Sequence, residues 1–190
     1  MGTSLDFRSD RHSSNPSMPG SMTGARLIDV RDWLVGGALI ESDDGLLLVR
    51  NRRRDGSHDW STPGGVIEEG EDLLAGLARE VEEETGLVVT EWAGPVYEVR
   101  ILAPEMGWRL RVEAHRAVAF SGELTLDDPD GIVVDARFVT AAEHEEHLRA
   151  CSPWVREPLL EWLSERWELQ RGFAYHVVGQ DRASMKVTRR

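Results

Sequence analysis

The stretch that decides the fold is residues 65–87, which read GVIEEGEDLLAGLAREVEEETGL. Its second half predicts an α-helix over residues 72–85, because leucine, alanine and valine recur on one broad side at helical spacing. Gly86 is placed to end this helix. Residues 60–65, just before, contain a proline and paired glycines, which predict an irregular loop with a constrained backbone. A constrained loop followed by a helix therefore forms the centre of the chain.

Three glutamates of the predicted helix share one face. Glu80, Glu83 and Glu84 stand at i, i+3 and i+4, opposite the leucine side. Like charges at these spacings destabilise a helix by roughly 0.2–0.5 kcal/mol per pair. Arg79 offsets only part of this charge, whereas a divalent cation such as Mg²⁺ prefers carboxylate oxygens and is often completed by substrate phosphates. The alternative is a solvated acidic face, which is common on surface helices.

The spacing of Gly65, Glu71 and the run REVEEETGL at 79–87 resembles the Nudix box at every defined position. The resemblance implies an α/β class and the Nudix fold, an α/β/α sandwich around a mixed β-sheet with a loop-helix-loop motif. It also implies a divalent cation as cofactor, Mg²⁺ with Mn²⁺ as a substitute. The metal ligands that the resemblance implies are Glu80, Glu83, Glu84 and the backbone of Gly65.

The implied activity is metal-dependent hydrolysis of a diphosphate linkage in a nucleoside diphosphate derivative, such as ADP-ribose or a modified nucleoside triphosphate. Water attacks phosphorus, and the metal lowers the pKa of that water. Glu83, Glu80 and Arg79 form the implied catalytic group, in which Arg79 orients the glutamates. Glu71 is expected to stabilise the motif. The alternative is a Nudix-fold module that binds nucleotides or regulates without turnover, but such a module is expected to lose one of the glutamates, and all three are present.

The proton acceptor stays open at this point. Glu80 or Glu83 can serve, and several Nudix enzymes instead use a glutamate from a loop beyond the box. The comparable stretch here, residues 127–133, has aliphatic residues where that glutamate is expected. This leaves Glu123, Asp128 and Asp130 as candidates, each of which is also explained as a solvated loop acid.

Substrate contacts are predicted just before the constrained loop. Arg50 and Arg52 alternate along a strand and can face one way to clamp phosphates or stack on a base, whereas Arg53 and Arg54 are expected to be exposed. An aromatic ring at strand spacing is more often part of the core, but it can also stack on a base. The candidate stacking residues are Trp33, Trp60, Tyr97 and Trp108.

The remaining elements are predicted from periodicity and turn signals. Asp43-Asp44-Gly45 predicts a β-hairpin between strands at 33–40 and 46–49. Further strands are predicted at 96–102, 108–120, 132–140 and 172–178, and helices at 141–150 and 153–169. The apolar side of the last helix packs either on the domain or on a partner subunit, which leaves a homodimer open.

Composition sets the wider expectations. A length of 190 residues predicts one domain, over residues 25–180, between a tail at 1–24 that is disordered or left over from cloning and a flexible tail at 181–190. A net charge of -12 disfavours polymeric nucleic acid and favours a small nucleotide-like substrate bound through cations. No run is long enough to cross a membrane. Cys151 is the single cysteine, which excludes an intramolecular disulfide and fits a cytoplasmic protein.

Overall fold

A computed structural model describes residues 30–53, 55–180 and 184–190. The predicted N-terminal tail, residues 1–24, lies outside the described residues, as does Arg54. The strands are β1 Arg31–Leu39, β2 Glu41–Ser42, β3 Gly45–Arg52, β4 His58–Ser61, β5 Val88–Ala103, β6 Trp108–Ser121, β7 Val133–Val139, β8 Arg171–Val178 and β9 Lys186–Arg189. The helices are α1 Leu73–Thr85, α2 His144–Leu148 and α3 Pro153–Glu165, and a 3₁₀ turn spans Pro104–Met106.

The strands form two sheets. The larger is mixed, in the order β1-β6-β5-β8-β9, with parallel pairs β1/β6 and β5/β8 and antiparallel pairs β5/β6 and β8/β9. The smaller is antiparallel and is built around β3, which pairs with β2, β4 and β7. In the part of the chain that the structure describes, no helix is both long and apolar enough to span a membrane.

Helices cover the larger sheet through two apolar clusters. The first includes Leu77 and Val81 of α1, which are fully buried and cluster with Ala38 of β1. The second includes Leu159 and Trp162 of α3, with inward-facing residues of β5, β6 and β8. Because successive strand residues point to opposite faces, the two clusters occupy opposite faces of the sheet. This arrangement confirms the predicted α/β class with a mixed sheet.

The predicted hairpin is wrong in its first strand. β1 does not pair with β3; it runs parallel to β6 along its whole length, from Arg31 opposite Trp108 to Leu39 opposite Arg116. Only the two residues of β2 fold back on β3 through the predicted turn, where Gly45 has a φ of 125°. The turn signal fixes a local reversal, but it carries no information on which strand pairs with the segment before it.

The chain end also differs from prediction. Residues 181–190 are not a flexible tail throughout, because β9 pairs antiparallel with β8 over four residues. The guanidinium of Arg189 in β9 forms an ion pair with Glu161 of α3, and the Arg190 N–H donates to the Ala174 carbonyl at 2.9 Å. β9 is therefore hydrogen-bonded to β8 of the sheet and ion-paired with α3.

Candidate active site

The loop of the motif is attached to the free edge of β1. Gly36 N–H donates to the Gly65 carbonyl at 3.0 Å, and Ala38 N–H donates to the Pro63 carbonyl at 2.8 Å. Ile67 N–H returns a bond to the Leu34 carbonyl at 2.9 Å. Residues 63–67 thus run along the sheet edge as a short added strand, which fixes the position of Gly65.

Helix α1 begins and ends with defined caps. The side chain of Asp72 accepts hydrogen bonds from the N–H groups of Leu74 and Ala75, each at 3.1 Å. Gly86 ends the helix with a φ of 73°, a left-handed conformation that favours glycine. The predicted helix is confirmed, and its caps set the rotation of the glutamate face relative to the loop.

Arg79 joins three carboxylates of the motif. Its Nε and Nη2 donate to the two oxygens of Glu71, both at 3.1 Å, and its Nη1 lies 2.6 Å from Glu80 Oε1 and 3.4 Å from Glu83 Oε2. Glu71 also accepts the Glu68 N–H at 3.1 Å. The hydrogen bonds from Arg79 are the main cause that lowers the pKa of Glu71, and the same contact raises the pKa of Arg79. Both groups therefore stay charged at neutral pH.

Two glycines of the loop bring it into contact with the glutamates. A Cβ on Gly65 would lie 2.3 Å from Glu80 Oε2, so the buried Glu80 carboxylate fills the space that any larger residue would need. Gly64 N–H donates to Glu84 Oε2 at 2.9 Å. A Cβ on Gly64 would lie 2.2 Å from the Gly36 carbonyl, which explains a glycine there as well. The loop and the helix are thereby locked together at the acidic face.

The donor set suits a hard cation. Carboxylate and carbonyl oxygens are the ligands that Mg²⁺ and Mn²⁺ prefer, and Gly65, Glu80 and Glu84 border one cleft. Across the described ranges, however, no three His, Cys, Asp or Glu side chains converge closely enough to form a metal site as they stand. Instead, Glu80 and Glu83 turn toward Arg79, and Glu84 turns toward the Gly64 amide. The residues fit such an ion in chemistry and neighbourhood, and binding requires their carboxylates to rotate.

The cleft beside the motif has an apolar side and a polar side. Trp33 and Val35 of β1, Val112 of β6, and Trp154 and Val155 of α3 contribute apolar surface. On the polar side, Asn51 Nδ2 donates to Ser61 Oγ at 2.9 Å, and Arg53 Nε donates to Asp59 Oδ1 at 2.9 Å. The acidic motif, the apolar side chains and the polar side chains therefore all border the same cleft.

The structure places the predicted substrate contacts elsewhere. Arg50 and Trp60 are cross-strand neighbours on β3 and β4, and Arg52 Nη2 donates to the Gly131 carbonyl at 2.9 Å. The Trp60 ring packs edge-on against His147, with centroids 4.9 Å apart. Neither Arg50, Arg52 nor Trp60 is among the described residues that line the cleft. Their alternation along the strand is confirmed, but it turns them away from the cleft.

The side chains on the other face of β3 take that position. Asn51 lines the cleft, and so does Arg53, which the sequence predicts to be exposed but whose side chain is only 12% exposed. Asn51 has the strand parity of Leu47 and Val49, but Leu46 and Leu48 on the opposite face are buried as well, so the apolar run gives no signal that selects Asn51. Arg50 and Arg52 were predicted as substrate contacts because phosphates attract positive charge, but they lie on the opposite face of β3.

Two of the three loop acids border the cleft. Asp128 accepts hydrogen bonds from the N–H groups of Asp130, Ile132 and Val133, at 3.1, 2.6 and 2.8 Å, so its carboxylate organises the loop. Asp130 lines the cleft beside it, whereas Glu123 is exposed and is not among the described lining residues. Both Asp128 and Asp130 therefore border the cleft, and the Asp128 carboxylate already accepts three backbone hydrogen bonds.

Comparison with known proteins identifies the family. The family model described as NUDIX domain matches residues 31–163, well over half of the chain. The chain belongs to the Nudix family. The RNA pyrophosphohydrolase of Caulobacter vibrioides is 30% identical over 115 residues, which cover 54% of this chain and 67% of that protein. This membership confirms the predicted family and the assignment to the Nudix hydrolases, an enzyme class that generally uses divalent metal cations.

Two further similarities cover a short segment or concern the fold alone. Nucleoside diphosphate-linked moiety X motif 6 of Xenopus laevis is 43% identical over 53 residues, 28% of this Nudix chain, and the match spans only 24% of that relative's length. The MutT protein of Methanosarcina mazei Go1 superposes with a TM-score of 0.60 at 19% identity, covering 74% of this chain and 99% of that one. The second likeness confirms the fold alone.

Proposed function

We propose that this Nudix protein hydrolyses the diphosphate linkage of a nucleoside diphosphate derivative, such as ADP-ribose or a modified nucleoside triphosphate, with Mg²⁺ as the working ion and Mn²⁺ as a substitute. The observation that carries the proposal is the contact between the Glu80 carboxylate and Gly65, at the acidic end of the cleft. Helix and loop oxygens meet there beside a space lined by both apolar and polar groups. Family membership supports the reaction class.

The proposed metal ligands are Glu80, Glu83, Glu84 and the Gly65 carbonyl. When bound, the cation neutralises the diphosphate and lowers the pKa of the attacking water. The Gly65 carbonyl already accepts one hydrogen bond from Gly36, and its second lone pair remains available to a cation. Cation binding would also relieve the repulsion among carboxylates that stand within one turn of α1.

The protein's own side chains have distinct roles in this proposal. Arg79, held by both oxygens of Glu71, keeps Glu80 and Glu83 close to the loop, and it would remain their neighbour when their carboxylates rotate toward a cation. Glu80 or Glu83 accepts the proton of the attacking water, with Asp130 as the candidate across the cleft. We propose Asn51 and Arg53 as polar substrate contacts, in place of the residues predicted on the opposite strand face.

Arg53 is suited to this role because its side chain is held in place. Asp59, itself buried, fixes the guanidinium through an ion pair whose Nη2–Oδ1 distance is 2.5 Å. A guanidinium fixed by a carboxylate loses little conformational entropy when it meets a phosphate. The ion pair with Asp59 carries no net charge, so Arg53 would contribute directed N–H donors rather than a positive field.

The test is a substrate panel with matched variants. ADP-ribose, dinucleoside polyphosphates, oxidised deoxynucleotides and a 5′-triphosphorylated RNA oligonucleotide are assayed with Mg²⁺ and with Mn²⁺. Glu83→Gln removes one proposed ligand, and Glu82→Gln makes the same charge change at an exposed position of the same helix. We expect turnover of a small nucleotide, a loss of at least about 100-fold in kcat for Glu83→Gln, and little change for Glu82→Gln.

Two results would contradict the proposal in different ways. Equal turnover by both glutamine variants would refute the assigned metal site. Tight nucleotide binding without turnover of any compound would instead favour the module that binds or regulates. Preference for the RNA oligonucleotide would contradict the expectation from net charge that small nucleotides are the substrates.

A further inference from the structure

The indole N–H of Trp154 is a buried donor with no acceptor. Trp154 follows Pro153 at the start of α3, is 3% exposed, and belongs to the residues that line the cleft. Its Nε1 is the one buried side-chain nitrogen or oxygen without a hydrogen-bond partner in the part of the chain that the structure describes. The ring packs edge-on against Trp108, with centroids 6.5 Å apart. That contact positions the ring but satisfies no donor.

An unsatisfied donor at this position requires an explanation. A buried N–H that has given up its hydrogen bonds to water destabilises the folded chain unless it gains an acceptor. Trp167 shows the usual arrangement, since its Nε1 donates to the Val96 carbonyl at 3.0 Å. An indole can donate but cannot accept. Trp154 therefore keeps one unused donor beside the cleft, which an acceptor on an entering molecule can take once Nε1 is uncovered.

The surroundings of Trp154 indicate what that molecule carries. Trp33, Val35, Val112 and Val155 line the same cleft and give it an apolar floor. Glu80 and Glu84 of the motif border the cleft as well, and they suit the cation-bound diphosphate instead. An apolar floor with one fixed donor suits a planar heteroaromatic ring that has an acceptor on its edge.

We propose that the apolar floor binds the base of the nucleotide and that Trp154 Nε1 donates a hydrogen bond to an acceptor on that base. The inference rests on the proposed function for the ligand class, a nucleoside diphosphate derivative. Because Nε1 is covered by surrounding protein atoms, the Trp154 ring or its neighbours must rotate for the base to reach it. Trp154 is then a specificity-determining residue, since a base without an acceptor at that edge leaves the donor unpaired.

The test compares two tryptophan variants that remove an indole N–H. Trp154→Phe removes the unpaired donor and keeps an aromatic ring, whereas Trp167→Phe removes a donor that has a backbone acceptor. Binding of the α,β-methylene diphosphates of adenosine, guanosine, cytidine and uridine is measured by titration calorimetry with Mg²⁺. Methylenediphosphonate serves as the probe without a base, and thermal denaturation of each variant is recorded without ligand.

We expect Trp154→Phe to bind its preferred nucleotide about tenfold more weakly, which corresponds to one lost hydrogen bond, and to bind methylenediphosphonate as the wild type does. The smaller phenyl ring at this buried position should lower the denaturation temperature, but no hydrogen bond of the folded chain is lost. Trp167→Phe removes a hydrogen bond that the folded chain makes and should leave nucleotide affinity unchanged. A merely structural role for the Trp154 N–H would leave nucleotide affinity unchanged in both variants.

Two outcomes would overturn the inference: unchanged nucleotide affinity in Trp154→Phe, or nucleotides that bind wild type no tighter than methylenediphosphonate does. The substrate panel tests the proposed function separately. If nucleotides are hydrolysed and their binding does not depend on Trp154, the base site is refuted and the proposed hydrolase activity is not. Nucleotide binding that depends on Trp154, without turnover of any compound, would refute the proposed hydrolase activity and support the proposed base site.

Discussion

Replacing Gly76 by alanine tests how far the geometry of α1 depends on Glu71. Gly76 lies in the interior of the helix, where alanine is ordinarily favoured over glycine by about 1 kcal/mol. A Cβ at this position would lie 2.6 Å from Glu71 Oε2, 2.8 Å from Glu71 Cδ and 3.0 Å from Ile67 Cδ1. Glu71 would have to move away, and with it the acceptor of Arg79.

The magnitude follows from the hydrogen bonds that would be lost. Arg79 and Glu71 share two of them at 3.1 Å, with side chains that are 30% and 23% exposed. Hydrogen bonds to charged groups contribute about 1.5–3 kcal/mol each when buried, and partial exposure reduces this pair to about 2 kcal/mol in total. Setting this loss against the helix propensity of alanine leaves a net destabilisation of about 1 kcal/mol. The denaturation temperature should fall by about 2–4 °C.

The assay is thermal denaturation in a double-mutant cycle. In the Glu71→Ala background the clashing carboxylate is gone, and the remaining close contact is with the flexible end of Ile67. Gly76→Ala should therefore stabilise that background by up to about 1 kcal/mol, the opposite sign to its effect in the wild type. An equal rise in denaturation temperature in both backgrounds would refute the role assigned to Glu71.

Three further predictions concern the site and its support. Arg79→Lys, which keeps one positive charge but cannot join three carboxylates, should lower kcat by about 10–100-fold in a steady-state assay; full activity would contradict its orienting role. Gly65→Ala places a Cβ 2.3 Å from Glu80 Oε2 and should raise the Mg²⁺ concentration for half-maximal activity about tenfold, which a metal titration measures. Burial lowers the pKa of His144, so the unfolded chain binds the proton first as pH falls below 6.5. The free energy of unfolding should therefore fall more steeply between about pH 7 and pH 5 in the wild type than in His144→Gln, and equal slopes in denaturant titrations would exclude this group.

The motif was predictable because its signals are local. The leucine spacing, the Asp72 cap and the Gly86 stop all lie within the segment that they define, so the helix bounds agree with the structure within one residue. Gly76 was not used in the prediction of this motif, although it indicates a close contact on α1. A glycine in the middle of an otherwise strong helix indicates that something packs closely there, and the structure identifies it as Glu71.

Strand pairing and the direction of the cleft were not predictable in the same way. β1 pairs with β6, whose partner residues lie 77 positions further along the chain, and no residue near β1 specifies that partner. The period of two on β3 was correct, but a period does not say which face meets the cleft. All four residues from Leu46 to Val49 are buried, so both faces of β3 are covered there, and the faces differ only at the end of the strand, where Asn51 is buried and Arg52 is exposed. That difference arises from the assembled sheets.

The attachment of residues 63–67 to β1 also affects solubility. An open strand edge with unpaired N–H and carbonyl groups is a template for another chain. On this sheet one outer strand is covered by residues 63–67 of the motif loop, and the other is the short β9, which carries Lys186 and Arg189. Substitutions that loosen the loop would therefore expose an aggregation-prone edge as well as disable the enzyme, so that catalytic competence and resistance to self-association depend on the same few backbone hydrogen bonds.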